Sequence, residues 1–178
     1  MSKHTAVATV VTNLGVIKLN LFGNHAPKTV ANFVGLAAGT IEWTHPATGK
    51  VSKEKLYDGV IFHRIIKDFM LQAGDPLGQG TGGPGFEFDD EIHPELNFSE
   101  PYVLAMANAG TRGGRGTNGS QFFITTVATP WLQAKHTIFG EVADEESKHV
   151  VDAIEAVQTV RDKPVVDVVI ESVVVDEQ

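Results

Sequence analysis

Arg64 stands in a run of bulky apolar residues, Phe62-His63-Arg64-Ile65-Ile66-Lys67-Asp68-Phe69-Met70-Leu71-Gln72-Ala73-Gly74-Asp75. At strand spacing it shares a face with Phe62 and Ile66. An arginine on an apolar face is unusual, and arginine keeps its charge and a planar fork of donors wherever it is placed. It reads as a functional cation in preference to a surface ion-pair partner. Two histidines beside cations, His63 next to Arg64 and His136 next to Lys135, have the chemistry of a base, yet taken alone each reads as structural. The chain has no cysteine, which excludes a thiolate nucleophile, a thiolate metal site and a disulfide scaffold. No G-x-S-x-G elbow is present, and no Ser/His/Asp arrangement can be picked out.

Three other motifs carry less. Gly80-Thr81-Gly82-Gly83-Pro84-Gly85 satisfies G-x-G-x-x-G, but a dinucleotide site needs a strand before it and a helix opening on it. Here Pro84 interrupts and an acidic stretch follows, so the segment reads as a turned loop. Asp89, Asp90, Glu91, His93 and Glu95 match neither an EF-hand nor H-E-x-x-H, and read as a solvated acidic loop with no metal. Arg112-Gly113-Gly114-Arg115-Gly116 is a single RGG-like copy. In a chain of net charge −8 it gives no case for nucleic acid.

The elements that position these residues follow from periodicity. Residues 6–11 and 16–22 alternate around the turn Thr12-Asn13-Leu14-Gly15, which predicts a β-hairpin. Pro27 opens a helical pattern of Val30, Phe33, Val34 and Ala37 that Gly39 stops. Residues 43–55 read as a surface loop. Short strands are expected at 60–66, 69–73, 102–108, 121–126 and 137–142. Glycine-rich loops separate them at 74–85 and 109–119. A second helix is expected at 147–157. Residues 165–175 form a β-branched strand with no polar face, expected to be buried and to pair with the early strands. With 178 residues, 42% of them hydrophobic, the chain suits one domain over 1–178 with a packed core. Many short strands and two helices suggest a barrel or sandwich. No apolar run reaches the length of a membrane span. Met1 to Thr5 lead into no apolar leader, so the expected setting is the cytoplasm.

Two further blocks accompany the first: Met106-Ala107-Asn108-Ala109-Gly110 continuing to Thr117-Asn118-Gly119-Ser120-Gln121-Phe122-Phe123-Ile124, and Trp131-Leu132 with Lys135-His136-Thr137-Ile138-Phe139-Gly140. With these, nearly the whole chain resembles the cyclophilins, cyclosporin-binding peptidyl-prolyl cis-trans isomerases. The resemblance implies a mainly β fold, an eight-stranded antiparallel closed β-barrel capped by two α-helices. It implies Arg64 as the catalytic residue. It implies a substrate site of Phe69, Met70, Gln72, Ala107, Asn108, Gln121, Phe123, Trp131, Leu132 and His136. The implied substrates are proline-containing segments of unfolded or flexible proteins, with no cofactor and no metal. Trp131 matches the tryptophan of cyclosporin-sensitive members, so cyclosporin is an expected inhibitor. Residues 111–116 are longer, and residues 74–80 slightly shorter, than in the common form. Nothing suggests an obligate assembly, so a monomer is expected. Two other functions fit less well. A scaffold that merely holds proline segments has no need of Arg64, and a small-ligand carrier requires a hollow interior where the abundant Val, Ile and Phe predict a filled one.

Overall fold

The computed structural model describes residues 3–178; Met1 and Ser2, which open the stretch read as carrying no apolar leader, lie outside the described residues. The elements are β1 (Ala6–Thr12), β2 (Gly15–Leu21), α1 (Pro27–Ala38), β3 (Trp43–Thr44), β4 (Val51–Ser52), β5 (Arg64–Ile66), β6 (Met70–Ala73), β7 (Val103–Met106), β8 (Phe122–Thr125), β9 (Ile138–Val142), α2 (Glu145–Glu155), β10 (Thr159–Val160), β11 (Lys163–Pro164) and β12 (Ile170–Glu177). The predicted hairpin is β1–β2, paired in full register from Ala6↔Leu21 to Thr12↔Gly15. α1 begins at Pro27 and ends on Gly39, whose φ of 75° is the left-handed conformation that glycine adopts without a Cβ penalty. α2 starts earlier than its apolar spacing indicated, because the Asp144 carboxylate accepts the Ser147 N–H at 2.8 Å and caps it.

Eight strands form one antiparallel sheet in the order β12-β1-β2-β9-β7-β8-β6-β5. The mainly β architecture with two helices stands, but the closed barrel does not. The sheet is an open, strongly curled half-barrel with β12 and β5 as its edges. Between those edges run the bridge Ile61↔Val169 and three backbone bonds: Phe62 N–H to Val168 O, Gly59 N–H to Ile170 O and Ile170 N–H to Val60 O. The physical reason is where the edge strands begin. The strand expected at 60–66 is regular only over Arg64–Ile66, and the one expected from 165 begins at Ile170. β5 begins only after the residues that meet 168–170, and β12 runs on from Ile170 paired with β1, so the two edges share no continuous closing ladder. β12 pairs with β1 as expected, though as an edge strand it leaves Val174 63% exposed, not buried. The loop at 43–55 contains the short β3–β4 pair, and a second small hairpin, β10–β11, follows α2.

The concave side holds the main core. Phe33 of α1 packs against Tyr57, Phe122 and Phe139 with ring centroids 5.1–5.6 Å apart. Burying such rings is worth about 1.5–3 kcal/mol each. The buried Tyr57 hydroxyl donates to the Ser120 carbonyl at 2.9 Å, and burial pushes its pKa upward. A second apolar cluster, Phe22, Met70, Leu96, Phe98, Val103, Ala105, Phe123 and Ile138, lies apart from this core. Register explains the division. Successive side chains alternate between sheet faces, so Leu71, Phe122, Ile124 and Leu104 point inward while Met70, Phe123, Ala105 and Val103 point outward. An apolar cluster on the convex face is where a ligand can reach it.

Candidate active site

The register places one row of side chains across five strands: Arg64 opposite Gln72, Gln72 opposite Phe123, Phe123 opposite Ala105 and Ala105 opposite Ile138. Beside it run Ile66, Met70 and Thr125. Arg64 therefore sits at one end of an apolar surface whose floor is Met70 and Phe123, only 2% and 4% exposed. The expected face-sharing of Arg64 with Phe62 is corrected. Phe62, His63 and Ile65 are all buried while Arg64 is exposed. Alternation starts afresh at β5, because the preceding residues bond to 168–170 and not to β6.

Partly buried Phe69, Ala107 and Leu132 pack against the Met70–Phe123 floor and raise its walls. Trp131, 56% exposed in the 3-10 turn Pro130–Leu132, stands with its ring centroid 6.0 Å from that of Phe69. His136 meets Phe123 edge to face at 5.2 Å and donates its Nδ1–H to the Met106 carbonyl at 2.8 Å. The Asn108 side chain donates to the Lys135 carbonyl at 3.0 Å and accepts the Gly110 N–H at 2.9 Å. On the cationic side the contacts form a chain. Arg64 Nη1 donates to Gln72 Oε1 at 3.2 Å, and Gln72 Nε2 donates to Gln121 Oε1 at 2.9 Å. Gln121 Nε2 then donates to the carbonyls of Gly80 and Gly82 at 3.0 and 2.9 Å. All eleven residues named from the sequence thus lie in one neighbourhood.

A cleft of about 540 Å³ adjoins the apolar cup. Gln72, Ala107, Asn108 and Gln121 line it, whereas Arg64, Met70 and Phe123 do not. The cup is defined by side-chain chemistry and register. Gly80 and Arg112 both border the cleft.

Asp75 is a residue the sequence reading quoted but gave no role. Its buried carboxylate accepts the N–H groups of Leu77, Gln79, Gly80 and Gly82 at 2.6–3.1 Å. Burial alone pushes its pKa up, but the four N–H groups outweigh that, and the carboxyl is held below its ordinary value. An aspartate followed by Pro76 and Gly78 is the pattern of an Asx turn, the feature of the sequence that could have revealed it. Gly74 precedes it at φ 102°, and a Cβ there would run into the Ser120 carbonyl, so this crossing requires glycine.

Behind Arg64, His63 is buried with neither ring nitrogen hydrogen-bonded to protein. Burial lowers its pKa; Asp75 opposes this, while Arg64 and Lys163 add to it. A histidine whose folded pKa lies below its unfolded value of about 6.5 stabilises the fold above that pH. The contribution is lost as pH falls from there toward the folded value. Thermal melts from pH 7.5 down to 5 are expected to show a decline that is shallower in a His63→Gln variant. Parallel curves would assign the decline to other groups.

The arrangement is a groove with a cation at one end, an apolar floor and side-chain amides along the rim. Comparison with known proteins gives the class of protein that carries it. The family model described as "Cyclophilin type peptidyl-prolyl cis-trans isomerase/CLD" matches residues 7–175. A peptidyl-prolyl cis-trans isomerase B of Streptomyces anulatus is 61% identical over 171 residues, 95% of each chain. A peptidyl-prolyl cis-trans isomerase A of Mycobacterium tuberculosis is 60% identical over 173 residues, 96% of this chain and 92% of that one. A crystal structure of a Cryptosporidium parvum cyclophilin superposes with a TM-score of 0.81 at 34% identity, covering 97% of this chain and 98% of that one. The chain belongs to the cyclophilin family and is a peptidyl-prolyl cis-trans isomerase.

Proposed function

We propose that Arg64 is the catalytic residue and that the convex cup holds the proline of flexible or unfolded segments while the bond before it turns. The observation that carries this reading is the row Arg64–Gln72–Phe123, which sets a cation beside an apolar floor on the solvent side of the sheet. The same Cryptosporidium protein has been crystallised in the presence of the dipeptide Ala-Pro, which supports such segments as ligands.

An amide resists rotation because its nitrogen shares density with the carbonyl, giving a barrier of about 18–20 kcal/mol. For X–Pro the two isomers are close in energy but exchange over tens to hundreds of seconds. No bond breaks, so no nucleophile is needed. The site must bind the twisted amide better than either planar form. As the bond twists, the nitrogen becomes pyramidal and its lone pair can accept a hydrogen bond. Arg64 offers N–H groups beyond the one directed at Gln72. Raising exchange from about 0.01 to about 1,000 per second requires roughly 7 kcal/mol. One preorganised donor supplies about 3–4 kcal/mol. The remainder falls to positioning: Phe69, Met70, Phe123 and Leu132 around the pyrrolidine ring, Gln72 and the Asn108 backbone on flanking amides, Trp131 and His136 at the rim. Isomerisation of a short X–Pro peptide by wild type and by Arg64→Ala tests the assignment, and equal rates would end it.

The same cup would take cyclosporin, with exposed Trp131 as the rim contact. Titration calorimetry is expected to show Trp131→Ala binding it at least tenfold more weakly, the loss typical of an aromatic anchor. Unchanged affinity would remove Trp131 from that role. The reading is completed by one domain over 1–178 acting as a cytoplasmic monomer; among the described residues no helix is long and apolar enough to cross a membrane. The residue preferred before proline would be set at the cleft bordered by Gly80 and Arg112.

A further inference from the structure

We propose that His25, His93 and Glu95 bind one divalent transition-metal ion, at a site separate from the proline groove. His25 lies in the turn between β2 and α1; His93 and Glu95 lie in the long segment between β6 and β7. His25 Nε2 stands 3.0 Å from Glu95 Oε1, and His93 Nδ1 is 3.9 Å from the same oxygen. The two imidazole rings meet at 4.6 Å, steeply inclined, and one ligand atom from each of the three residues falls within 4.8 Å of the others. Ligands about 2.1 Å from a tetrahedral ion lie about 3.4 Å apart, so modest adjustment completes a set of two nitrogens and one oxygen. The parts suit that adjustment. The His25 side chain is 11% exposed and fixed, while the Glu95 side chain is 67% exposed and free to swing.

The donor set selects the metal. Two imidazoles and a carboxylate favour Zn²⁺ and its late first-row neighbours over Mg²⁺ or Ca²⁺, and three protein ligands leave a position for water. The other carboxylates of the acidic stretch are engaged elsewhere. Glu91 accepts from the Thr29 N–H and hydroxyl and from the Lys28 N–H, Asp90 accepts from Asn118, and Asp89 from the Gly116 N–H. His93 Nδ1 accepts the Glu95 N–H at 3.1 Å, which holds the two ligands of that segment in one turn; an ion bound through Nδ1 would replace that bond, and one bound through Nε2 would keep it. His25 Nδ1 is buried without a protein partner whichever nitrogen carries the proton, so a metal at Nε2 creates no new unpaired atom. His25 also meets Phe22 edge-on at 5.8 Å, and Phe22 belongs to the cluster that contains Met70 and Phe123. An ion here would staple the turn before α1 to the 93–95 segment from the side away from Arg64.

The test uses the whole chain freed of metal by a chelator. Titration with Zn²⁺ against a chromophoric competitor is expected to show one equivalent bound by wild type. Binding should be at least tenfold weaker in His93→Gln and in Glu95→Gln, and unchanged when exposed His149 is replaced by glutamine. Co²⁺ should give visible absorption in wild type that His93→Gln loses. At about one hundred times the dissociation constant, Zn²⁺ should raise the melting temperature by roughly 5–10 °C. Absence of stoichiometric binding, or binding that survives both His93→Gln and Glu95→Gln, overturns the proposal. Should His93→Gln fail to fold, the exposed Glu95→Gln carries the test alone.

Discussion

Replacing Arg64 by alanine is expected to lower kcat/KM for an X–Pro peptide by about two to three orders of magnitude, the effect of removing one preorganised donor from a transition state. Arg64 is exposed and not part of either apolar cluster, so melting should move little. The loss should fall on kcat more than on KM, because the residues proposed to hold the proline ring, Phe69, Met70, Phe123 and Leu132, all remain. Lysine at 64 restores charge without the planar fork and should recover only a small part of the rate. Exchange spectroscopy on a peptide with resolved cis and trans resonances measures all three variants under one condition. A rate for Arg64→Ala within twofold of wild type would refute the role of the guanidinium. Full recovery by lysine would mean that charge, and not directed donation, is what matters.

Asp75→Ala is expected to be the most destabilising single change near the groove. Four N–H groups lose a buried acceptor at once, and hydrogen bonds to a charged group are worth about 1.5–3 kcal/mol apiece before the loop relaxes into water. A net loss of about 2–4 kcal/mol is expected after that relaxation, a fall of roughly 5–15 °C in a chain of this size. Activity should fall too, by about tenfold, because Gly80 and Gly82 supply the carbonyls that orient Gln121. Gln121 orients Gln72, and Gln72 the guanidinium. The pH dependence distinguishes electrostatics from packing. A carboxyl held below its ordinary value contributes stability above about pH 3.8 that is lost as the folded group protonates. The gap in melting temperature between wild type and Asp75→Ala should therefore narrow in strong acid. A constant gap would mean that Asp75 acts by filling space.

How far the sequence could be read depended on whether the controlling interaction was local. The β1–β2 hairpin and α1 were legible because alternation, an Asn-x-Gly turn, a leading proline and a closing glycine act within a few residues. The proposed groove residues are named by family resemblance; composition alone would leave Phe69, Met70 and Phe123 indistinguishable from core. What separates them from Phe122 is the sheet face they occupy, and the face is fixed by pairing with residues about fifty positions away. Closure of the barrel was misjudged for the same reason. Val60–His63 and 165–169 are β-branched and apolar enough for strands, but whether two edges meet in a ladder depends on curl accumulated over eight strands. Asp75 and the Gln72–Gln121 relay went unread because their partners are backbone atoms and amides without a composition of their own. His25 escaped notice because the residues it meets, His93 and Glu95, lie some seventy positions on.

The Arg64 guanidinium rides on the selvage of the fabric. β5 is three residues long and laddered to β6 alone; across its other side the Ile65 N–H reaches the Asp162 carbonyl in a loop. A sideways shift of this strip breaks few bonds, so its amides are expected to exchange with solvent sooner than those of the strands behind it. The weave behind it, Leu71 against Ile124 and Ile124 against Leu104, belongs to strands paired on both sides.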